Sequence, residues 1–259
     1  RNEPVFHFFR YLSAMNNQID IYDLGFADYR DVWDLQRRAQ QLLIKQKKAR
    51  RDPPATSVSE TAVNDMLFFV EHPHVYTLGK SGDQGNLLKG MAELAQIDAE
   101  FIEIDRGGDI TYHGPGQIVG YPILDLDRHF TDIHKYLRTL EEVIIRTCAD
   151  FGIETGRIDG LTGVWAGNEK ICAMGIRCSR WVTMHGFALN VNTDLSYFNH
   201  IVPCGISDRA VTSMQKLLKK QVKQADVKKS IVNHLSELFG VTPKNKTIET
   251  EPELQISYL

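Results

Sequence analysis

Long apolar runs are absent from this sequence. No stretch of its 259 residues approaches the roughly 18 apolar residues that a helix needs to cross a membrane. An excess of positive charge is absent too. The formal net charge is -3, so the chain has no overall basic field of the kind that attracts nucleic acids. We therefore expect a soluble protein that binds neither a membrane nor a nucleic acid.

The motifs of metal sites and of nucleotide sites are also missing. The four cysteines form no Cys-x-x-Cys pair and have no histidine at zinc-binding spacing, so we expect no metal. Gly79-Lys80-Ser81 looks like the end of a phosphate-binding loop, but His74 stands where that motif needs glycine. A secreted disulfide scaffold would be smaller and richer in cysteine. We therefore expect a reducing compartment, which is the bacterial cytoplasm or, in a eukaryote, the mitochondrial matrix.

The hydrophobic pattern predicts helices and strands that do not alternate strictly. Strands are predicted over residues 19–24, 65–70, 100–105 and 119–126. The predicted helices begin or end at Asp28, at Thr131 or Asp132, at Gly152, at Asp226 and at Gly240. This order is typical of an α+β fold with a mixed, mainly antiparallel sheet and flanking helices. We expect one domain over residues 1–259, with an N-terminal extension over 1–16 and a C-terminal tail over 241–259.

One short stretch, Arg106-Gly-Gly-Asp-Ile-Thr-Tyr-His-Gly-Pro-Gly116, is dense in glycine. Glycines at this density let the backbone approach a ligand closely, which a loop that lines a binding groove requires. A tight hairpin would show the same spacing. The sequence leaves both interpretations open.

Small residues recur on two strands that follow a hairpin turn at Gly167-Asn168. Strands are predicted over residues 164–166, 171–178 and 181–191. Ala173 and Gly175 share one face of their strand, and Gly186 and Ala188 share a face of the next. Neighbouring strands with small residues on one face leave a furrow for a thin, extended ligand. Close packing of a helix on that face is the alternative.

Lys170 follows the same turn. Strict alternation places its side chain on the opposite face from Ala173 and Gly175. Only a bulge, or the end of the turn at Glu169, would bring the lysine to their side of the sheet.

Cys204 lies between Pro203 and Gly205, in a loop where a thiol can be presented rather than packed. A free thiol has a pKa of about 8.5, and lowering this pKa by roughly 1.5 units would ionise half of it at pH 7. One ammonium group at about 4 Å supplies enough energy for that shift, so Lys170 would suffice if it were adjacent. Three histidines are alternative partners for a Cys-His pair, although a single histidine is more often structural: His113, His185 and His200.

Several motifs occur together and in a fixed order. In chain order they are Arg106-Gly-Gly-Asp-Ile-Thr-Tyr-His-Gly-Pro-Gly116, Gly163-Val-Trp165, Lys170-Ile-Cys-Ala-Met-Gly-Ile-Arg177, His185-Gly-Phe-Ala-Leu-Asn-Val191 and Pro203-Cys-Gly-Ile206. Together they resemble the lipoyl(octanoyl) transferase family, the octanoyl-[acyl-carrier-protein]:protein N-octanoyltransferases. The likeness runs from about residue 19 to residue 239.

The resemblance implies an enzyme of lipoate biosynthesis that needs no cofactor. It implies that octanoyl passes from octanoyl-acyl carrier protein to a lysine on the lipoyl domains of 2-oxoacid dehydrogenases or on the glycine cleavage H protein. It also implies that Cys204 carries the acyl thioester, that Lys170 lowers the pKa of its thiol, and that the chain is one catalytic domain with the fold of biotin and lipoate protein ligases. The implied substrate-binding residues are Arg106, Gly107, Gly108, Asp109, Ile110, Thr111, Tyr112, His113, Ala173, Met174, Gly175, Gly186, Phe187 and Ala188. We expect a monomer.

Three other functions are consistent with parts of this pattern. An ATP-dependent lipoate or biotin ligase would share the fold but would not depend on Cys204. A non-catalytic acyl-binding module would not depend on Cys204 either. A Cys-His hydrolase would transfer the acyl group to water and would depend on His113 or His185 as strongly as on the cysteine.

Overall fold

A computed structural model describes residues 17–51, 63–202 and 210–254 of the chain. The strands in these ranges are β1 Gln18–Phe26, β2 Asp65–Glu71, β3 Val75–Leu78, β4 Glu100–Glu103, β5 Ile110–His113, β6 Gln117–Ile123, β7 Gly156–Ile158, β8 Leu161–Ala166, β9 Glu169–Ser179, β10 Val182–Asn190 and β11 Thr242–Lys246. The helices are α1 Tyr29–Arg51, α2 Met91–Ala95, α3 Ile133–Asp150, α4 Met214–Leu218 and α5 Gln224–Phe239.

Two sheets organise the fold. The larger sheet has eight strands in the order β11-β1-β2-β6-β10-β9-β8-β7, and the smaller has three in the order β4-β3-β5. Strand β1 is parallel to β2 and β11, and β3 is parallel to β4, whereas the other pairs are antiparallel. The predicted α+β class with a mixed, mainly antiparallel sheet is confirmed.

Helices cover both faces of the larger sheet, as their apolar stripes require. Leu140 and Ile144 of α3 and Leu235 of α5 belong to one buried cluster. Val32 and Leu35 of α1 belong to another, on the opposite face. None of the helices in the described ranges is long and apolar enough to span a membrane.

The helix ends follow the predicted chemistry with one exception. Asp132 accepts a hydrogen bond from the backbone N–H of Lys135 at the start of α3, and Gly240 ends α5 with a φ of 65°. The predicted N-cap Asp226 is wrong, because α5 begins earlier and Lys223 occupies the cap position. Asp226 lies in the first turn, where its charge still complements the helix dipole.

The predicted C-terminal tail contributes to the sheet. Residues of β11 pair in parallel with β1, from Gln18 opposite Thr242 to Tyr22 opposite Lys246. This strand is polar and mostly exposed, so its sequence has no alternating apolar pattern from which a strand could be predicted. Backbone hydrogen bonds to an otherwise open edge hold it there. The predicted extension over residues 1–16 lies outside the described residues.

The basic end of α1 pairs with two aspartates that lie far away in the sequence. Lys47 Nζ is 2.8 Å from Asp125 Oδ1 and 2.8 Å from Asp127 Oδ2. Arg50 donates to Asp125 and Arg51 donates to Asp127. Asp125 is fully buried, so these cations compensate a carboxylate that has no access to solvent. The basic run therefore anchors the helix to the sheet.

We expect Lys47→Ala to lower the free energy of unfolding by about 3 kcal/mol, because it removes one partner of a buried carboxylate. Urea unfolding at pH 7 measures this change. Lys48→Ala removes an exposed lysine of the same helix and should change the free energy by less than about 0.5 kcal/mol. Equal effects of the two substitutions would contradict the assignment.

Candidate active site

A cavity of about 420 Å³ is lined by residues of both sheets. Nearly all of the predicted substrate-binding residues line it, together with Lys170: Arg106, Gly107, Gly108, Asp109, Ile110, Thr111, His113, Ala173, Met174, Gly175, Gly186, Phe187 and Ala188. The structure thus brings together residues from β5, β9, β10 and the loop before β5.

Tyr112 is the exception among the predicted substrate-binding residues, since it does not line the cavity. Its hydroxyl lies 2.7 Å from His74 Nδ1, and its ring stacks on Tyr197 at a centroid distance of 5.1 Å. The reason is alternation along β5, which sends Tyr112 away from the side on which Thr111 and His113 lie.

A β-bulge brings Lys170 to the cavity. Val164 pairs with Cys172, but the next residue, Trp165, pairs with Lys170, so Ile171 is an extra residue in β9. Ile171 and Cys172 are both fully buried in the same core cluster. The register after the bulge is shifted by one, and Lys170 lines the same cavity as Ala173 and Gly175. The open question about the lysine is therefore answered in favour of the bulge.

Gly163 lies opposite this bulge. Its φ is +116°, and a Cβ atom there would lie 2.6 Å from the carbonyl oxygen of Cys172. Only glycine accepts both the backbone angle and the close approach. The conformation of β9 around Lys170 therefore depends on this glycine in β8.

The glycine-rich loop before β5 crosses directly over β9. The backbone N–H of Gly107 donates to the carbonyl of Ile176 at 2.9 Å, and a Cβ atom on Gly175 would lie 2.8 Å from the carbonyl oxygen of Gly107. Arg106 is 7% exposed and donates to the carbonyl of Thr77 at 2.7 Å. The loop is thus fixed at its backbone and at its arginine, and it forms one wall of the cavity.

A chain of buried amides leads from His113 towards Lys170. His113 Nδ1 lies 2.9 Å from Gln117 Oε1, and Gln117 Nε2 donates to Asn190 Oδ1 at 2.9 Å. Asn190 Nδ2 donates to the carbonyl of Thr212 at 3.0 Å, and the N–H of Thr212 donates to the carbonyl of Lys170 at 2.9 Å. Sequence reasoning did not single out Gln117 or Asn190, and polar residues at buried strand positions were the available signal.

Burial keeps two neighbouring histidines neutral. It lowers the pKa of His72 to about 4 and that of His113 to about 3, with the nearby His72 lowering the latter further. His72 is bound to the carbonyl of Ala27 at 2.9 Å and to the hydroxyl of Tyr121 at 2.8 Å. These contacts give the His72 ring a structural role, whereas the neutral His113 ring lines the cavity.

His185 is also held by a structural contact. Its Nε2 lies 2.8 Å from Asp105 Oδ1, and Arg177 binds the other oxygen of Asp105. Burial lowers the pKa of His185 although Asp105 opposes this effect, so Arg177 supplies the charge that balances the carboxylate. His200 does not line the cavity.

The described cysteines are poor nucleophiles. Burial raises the pKa of the Cys148 thiol to about 12 and that of Cys172 well above its ordinary value, and it also raises the pKa of Cys178. Cys204 lies outside the described residues. The described residues continue from Ala210, whose carbonyl accepts a hydrogen bond from the N–H of Lys170 at 3.0 Å.

The two buried histidines should make stability fall in acid. The unfolded chain binds protons near the ordinary pKa of 6.5, whereas His72 and His113 stay neutral in the fold down to about 4 and 3. Stability is therefore complete above pH 6.5 and is lost as the pH falls towards 4, by up to about 1.4 kcal/mol per pH unit for each histidine.

Urea unfolding between pH 7 and pH 5 measures this slope. His72→Gln removes one of the two groups and should make the slope clearly shallower, while His134→Gln changes an exposed histidine and should not. An unchanged slope in His72→Gln would contradict the assignment.

The chain is similar to known proteins over most of its length. A family model described as "Lipoyl protein ligase A/B catalytic domain" matches residues 29–236. The octanoyltransferase of Cytophaga hutchinsonii is 54% identical over 241 residues, which cover 91% of this chain and 98% of that protein. The octanoyltransferase of Bacteroides thetaiotaomicron is 44% identical over 225 residues, which cover 85% and 95%.

Solved structures show the same fold at low identity. A bi-partite lipoate protein ligase from Thermoplasma acidophilum superposes with a TM-score of 0.65 at 16% identity, covering 91% of this chain and 89% of that one. Lipoate-protein ligase A bound with ATP gives a TM-score of 0.65 at 15% identity, covering 92% and 90%. The predicted ligase-like fold is confirmed. On its sequence match and its relatives, the chain belongs to the family of the lipoyl protein ligase A/B catalytic domain, within which it groups with the lipoyl(octanoyl) transferases.

Proposed function

We propose that this acyltransferase moves an octanoyl group from octanoyl-acyl carrier protein to a lysine on a lipoyl domain, through a thioester on Cys204. The observation that carries the proposal is the position of Lys170. Because of the bulge at Ile171, the lysine side chain lies in the same cavity as Ala173 and Gly175. Relatives of the chain are octanoyltransferases. The acceptors are the lipoyl domains of 2-oxoacid dehydrogenases and the glycine cleavage H protein.

The cavity suits a medium-length acyl chain. Apolar side chains line much of it, including Val119, Met174 and Phe187. Alanine and glycine at positions 173, 175, 186 and 188 leave room beside the strands. Burial of an alkyl chain there gains about 0.8 kcal/mol for each methylene group, so binding energy grows with chain length until the cavity is filled.

The first chemical step forms the acyl-enzyme. The thiolate of Cys204 attacks the carbonyl carbon of the donor thioester, a new carbon–sulfur bond forms, and the sulfur of the carrier leaves as a thiolate with the electrons of the broken bond. This thiolate takes a proton from the Lys170 ammonium and departs as a thiol, which leaves Lys170 neutral for the second step. The ammonium of Lys170 favours the thiolate before attack. Burial raises the pKa of the other three thiols, two of them fully buried and Cys178 half-buried, which supports Cys204 as the nucleophile.

The second step delivers the octanoyl group to the acceptor. The lysine amine of the lipoyl domain attacks the acyl-enzyme, Lys170 in its neutral form accepts the proton, and Cys204 leaves as thiolate. An amide is more stable than a thioester, so the transfer is downhill without ATP. This distinguishes the proposal from an ATP-dependent ligase on the same fold, the activity suggested by the structure of lipoate-protein ligase A bound with ATP.

The setting of the reaction is part of the proposal. The relatives are bacterial proteins, which supports the cytoplasm as its compartment. We also propose that residues 1–259 act as one catalytic domain and as a monomer.

Intact-protein mass spectrometry tests the acyl-enzyme. After mixing with octanoyl-acyl carrier protein in the absence of ATP, we expect one octanoyl group on the wild type and none on Cys204→Ala. Cys178→Ala is the matched control, since this half-buried thiol should leave labelling intact. Transfer to a lipoyl domain that persists in Cys204→Ala, or that requires ATP, would contradict the mechanism.

Lys170→Ala should slow formation of the acyl-enzyme at pH 7 by roughly tenfold, because the thiolate fraction falls from about half to a few per cent. The rate should recover at pH 9, where the thiol ionises without help. Stopped reactions followed by the same mass measurement give both rates. An equal defect at pH 7 and pH 9 would argue against an effect on the thiol pKa.

A further inference from the structure

Lys170 makes a close contact with an aromatic ring. Its Nζ lies 4.8 Å from the centroid of the Trp165 ring, within the range of a cation–π interaction. Trp165 is only 4% exposed, and both residues line the cavity. The ring face therefore contributes directly to the surroundings of the lysine.

The position of the ring is set by the strands. Trp165 pairs with Lys170 on β9 and with Gly156 on β7, so its backbone is fixed on both sides. The stem of Lys170 passes Gly163, where a Cβ atom would lie 3.6 Å from the Cε of the lysine. Gly163 lies beside the aliphatic part of the lysine side chain, and the Trp165 ring lies beside its ammonium group. The two residues together restrict where the ammonium can lie.

Two carboxylates, those of Glu169 and Glu141, are bound by other cations. Glu169, the neighbour of Lys170 in the chain, binds Lys216 at 2.6 Å. Glu141 is fully buried below Gly163 and binds Arg138 at 2.8 Å, Arg157 at 3.0 Å and the N–H of Gly163 at 3.0 Å. Glu169 and Glu141 are thus both bound by cations other than Lys170.

An aromatic face and a carboxylate hold an ammonium group with different consequences. A carboxylate cancels the positive charge that an adjacent thiol would otherwise experience. The face of an indole attracts the ammonium through its quadrupole but carries no net charge. The contact with the ring therefore does not itself reduce the positive charge that the lysine presents to a neighbouring thiol.

We propose that Trp165 is a positioning residue that holds the ammonium group of Lys170 in place for its action on the catalytic thiol. The inference rests on the proposed function, in which Lys170 first favours the thiolate of Cys204 and later accepts a proton. Trp165 acts only through Lys170. Without the Trp165 ring, Lys170 is still present but its ammonium group is no longer held in one position.

The pH dependence of Cys204 alkylation by iodoacetamide tests this role. The midpoint of the rate profile reports the pKa of the thiol in the full-length protein. We compare the wild type with Trp165→Phe, Trp165→Met, Lys170→Ala and the double variant Trp165→Met/Lys170→Ala. Trp181→Leu, which changes a 40%-exposed tryptophan at the β9–β10 turn, is the matched control. Urea unfolding confirms that each variant is folded.

We expect Trp165→Met to raise the midpoint by roughly half a unit to one unit, and Trp165→Phe to raise it less, because phenylalanine keeps a weaker aromatic face. Trp181→Leu should leave it unchanged. In the Lys170→Ala background, Trp165→Met should add nothing, which is the signature of a residue that acts through the lysine.

An equal shift from Trp165→Met with and without Lys170 would overturn the inference, as would equal or absent effects of the phenylalanine and methionine variants. If Lys170→Ala nevertheless raises the midpoint, the proposed role of the lysine stands and only the role of Trp165 fails. An unchanged midpoint in Lys170→Ala alone would instead overturn the proposed role of the lysine, and the role of Trp165 with it.

Discussion

The candidate site depends on one constraint of β-structure, which is that neighbouring residues of a strand point to opposite faces. A strand that obeys this rule throughout cannot bury Cys172 in the core and also present both Lys170 and Ala173 to the cavity. The extra residue at Ile171 resolves the conflict, because two consecutive apolar side chains enter the core and the register then changes. Gly163 makes room for the bulge on the neighbouring strand. Lys170 and the small residues Ala173 and Gly175 therefore line the same cavity.

Hydrogen bonds hold several of the groups that surround this space. Backbone contact between Gly107 and Ile176 fixes the glycine-rich loop over β9. Burial keeps His113 uncharged, and its ring is tied through Gln117 and Asn190 to the segment that runs beside Lys170. Beside buried groups an ammonium is screened less than in water, so its electrostatic effect on a neighbouring group is larger. The same hydrogen bonds hold the loop and β9 in place where glycine and alanine line the cavity.

Local chemistry was sufficient to predict much of this arrangement. The α+β class, the cap at Asp132 and the hairpin at Gly167-Asn168 follow from short-range signals. That hairpin even implies that Trp165 faces Lys170, since a two-residue turn pairs positions 165 and 170. The bulge could not be predicted, because Ile171 and Cys172 are both apolar and only packing against the core decides which is extra. Nor could the partners of Lys47, since Asp125 and Asp127 are brought to it only by the tertiary fold.

The pairing of β11 with β1 has a consequence for the order in which the protein is completed during synthesis. Strand β1 begins at Gln18 but lies inside the sheet, between β2 and a strand that ends at Lys246. While the ribosome is still making the last helix, one edge of β1 has no strand beside it and exposes a row of N–H and C=O groups. The sheet edge at β1 is therefore incomplete until residues 242–246 have been made. Residues 242–246 cover this edge, so closure of the sheet has to wait until β11 has been made.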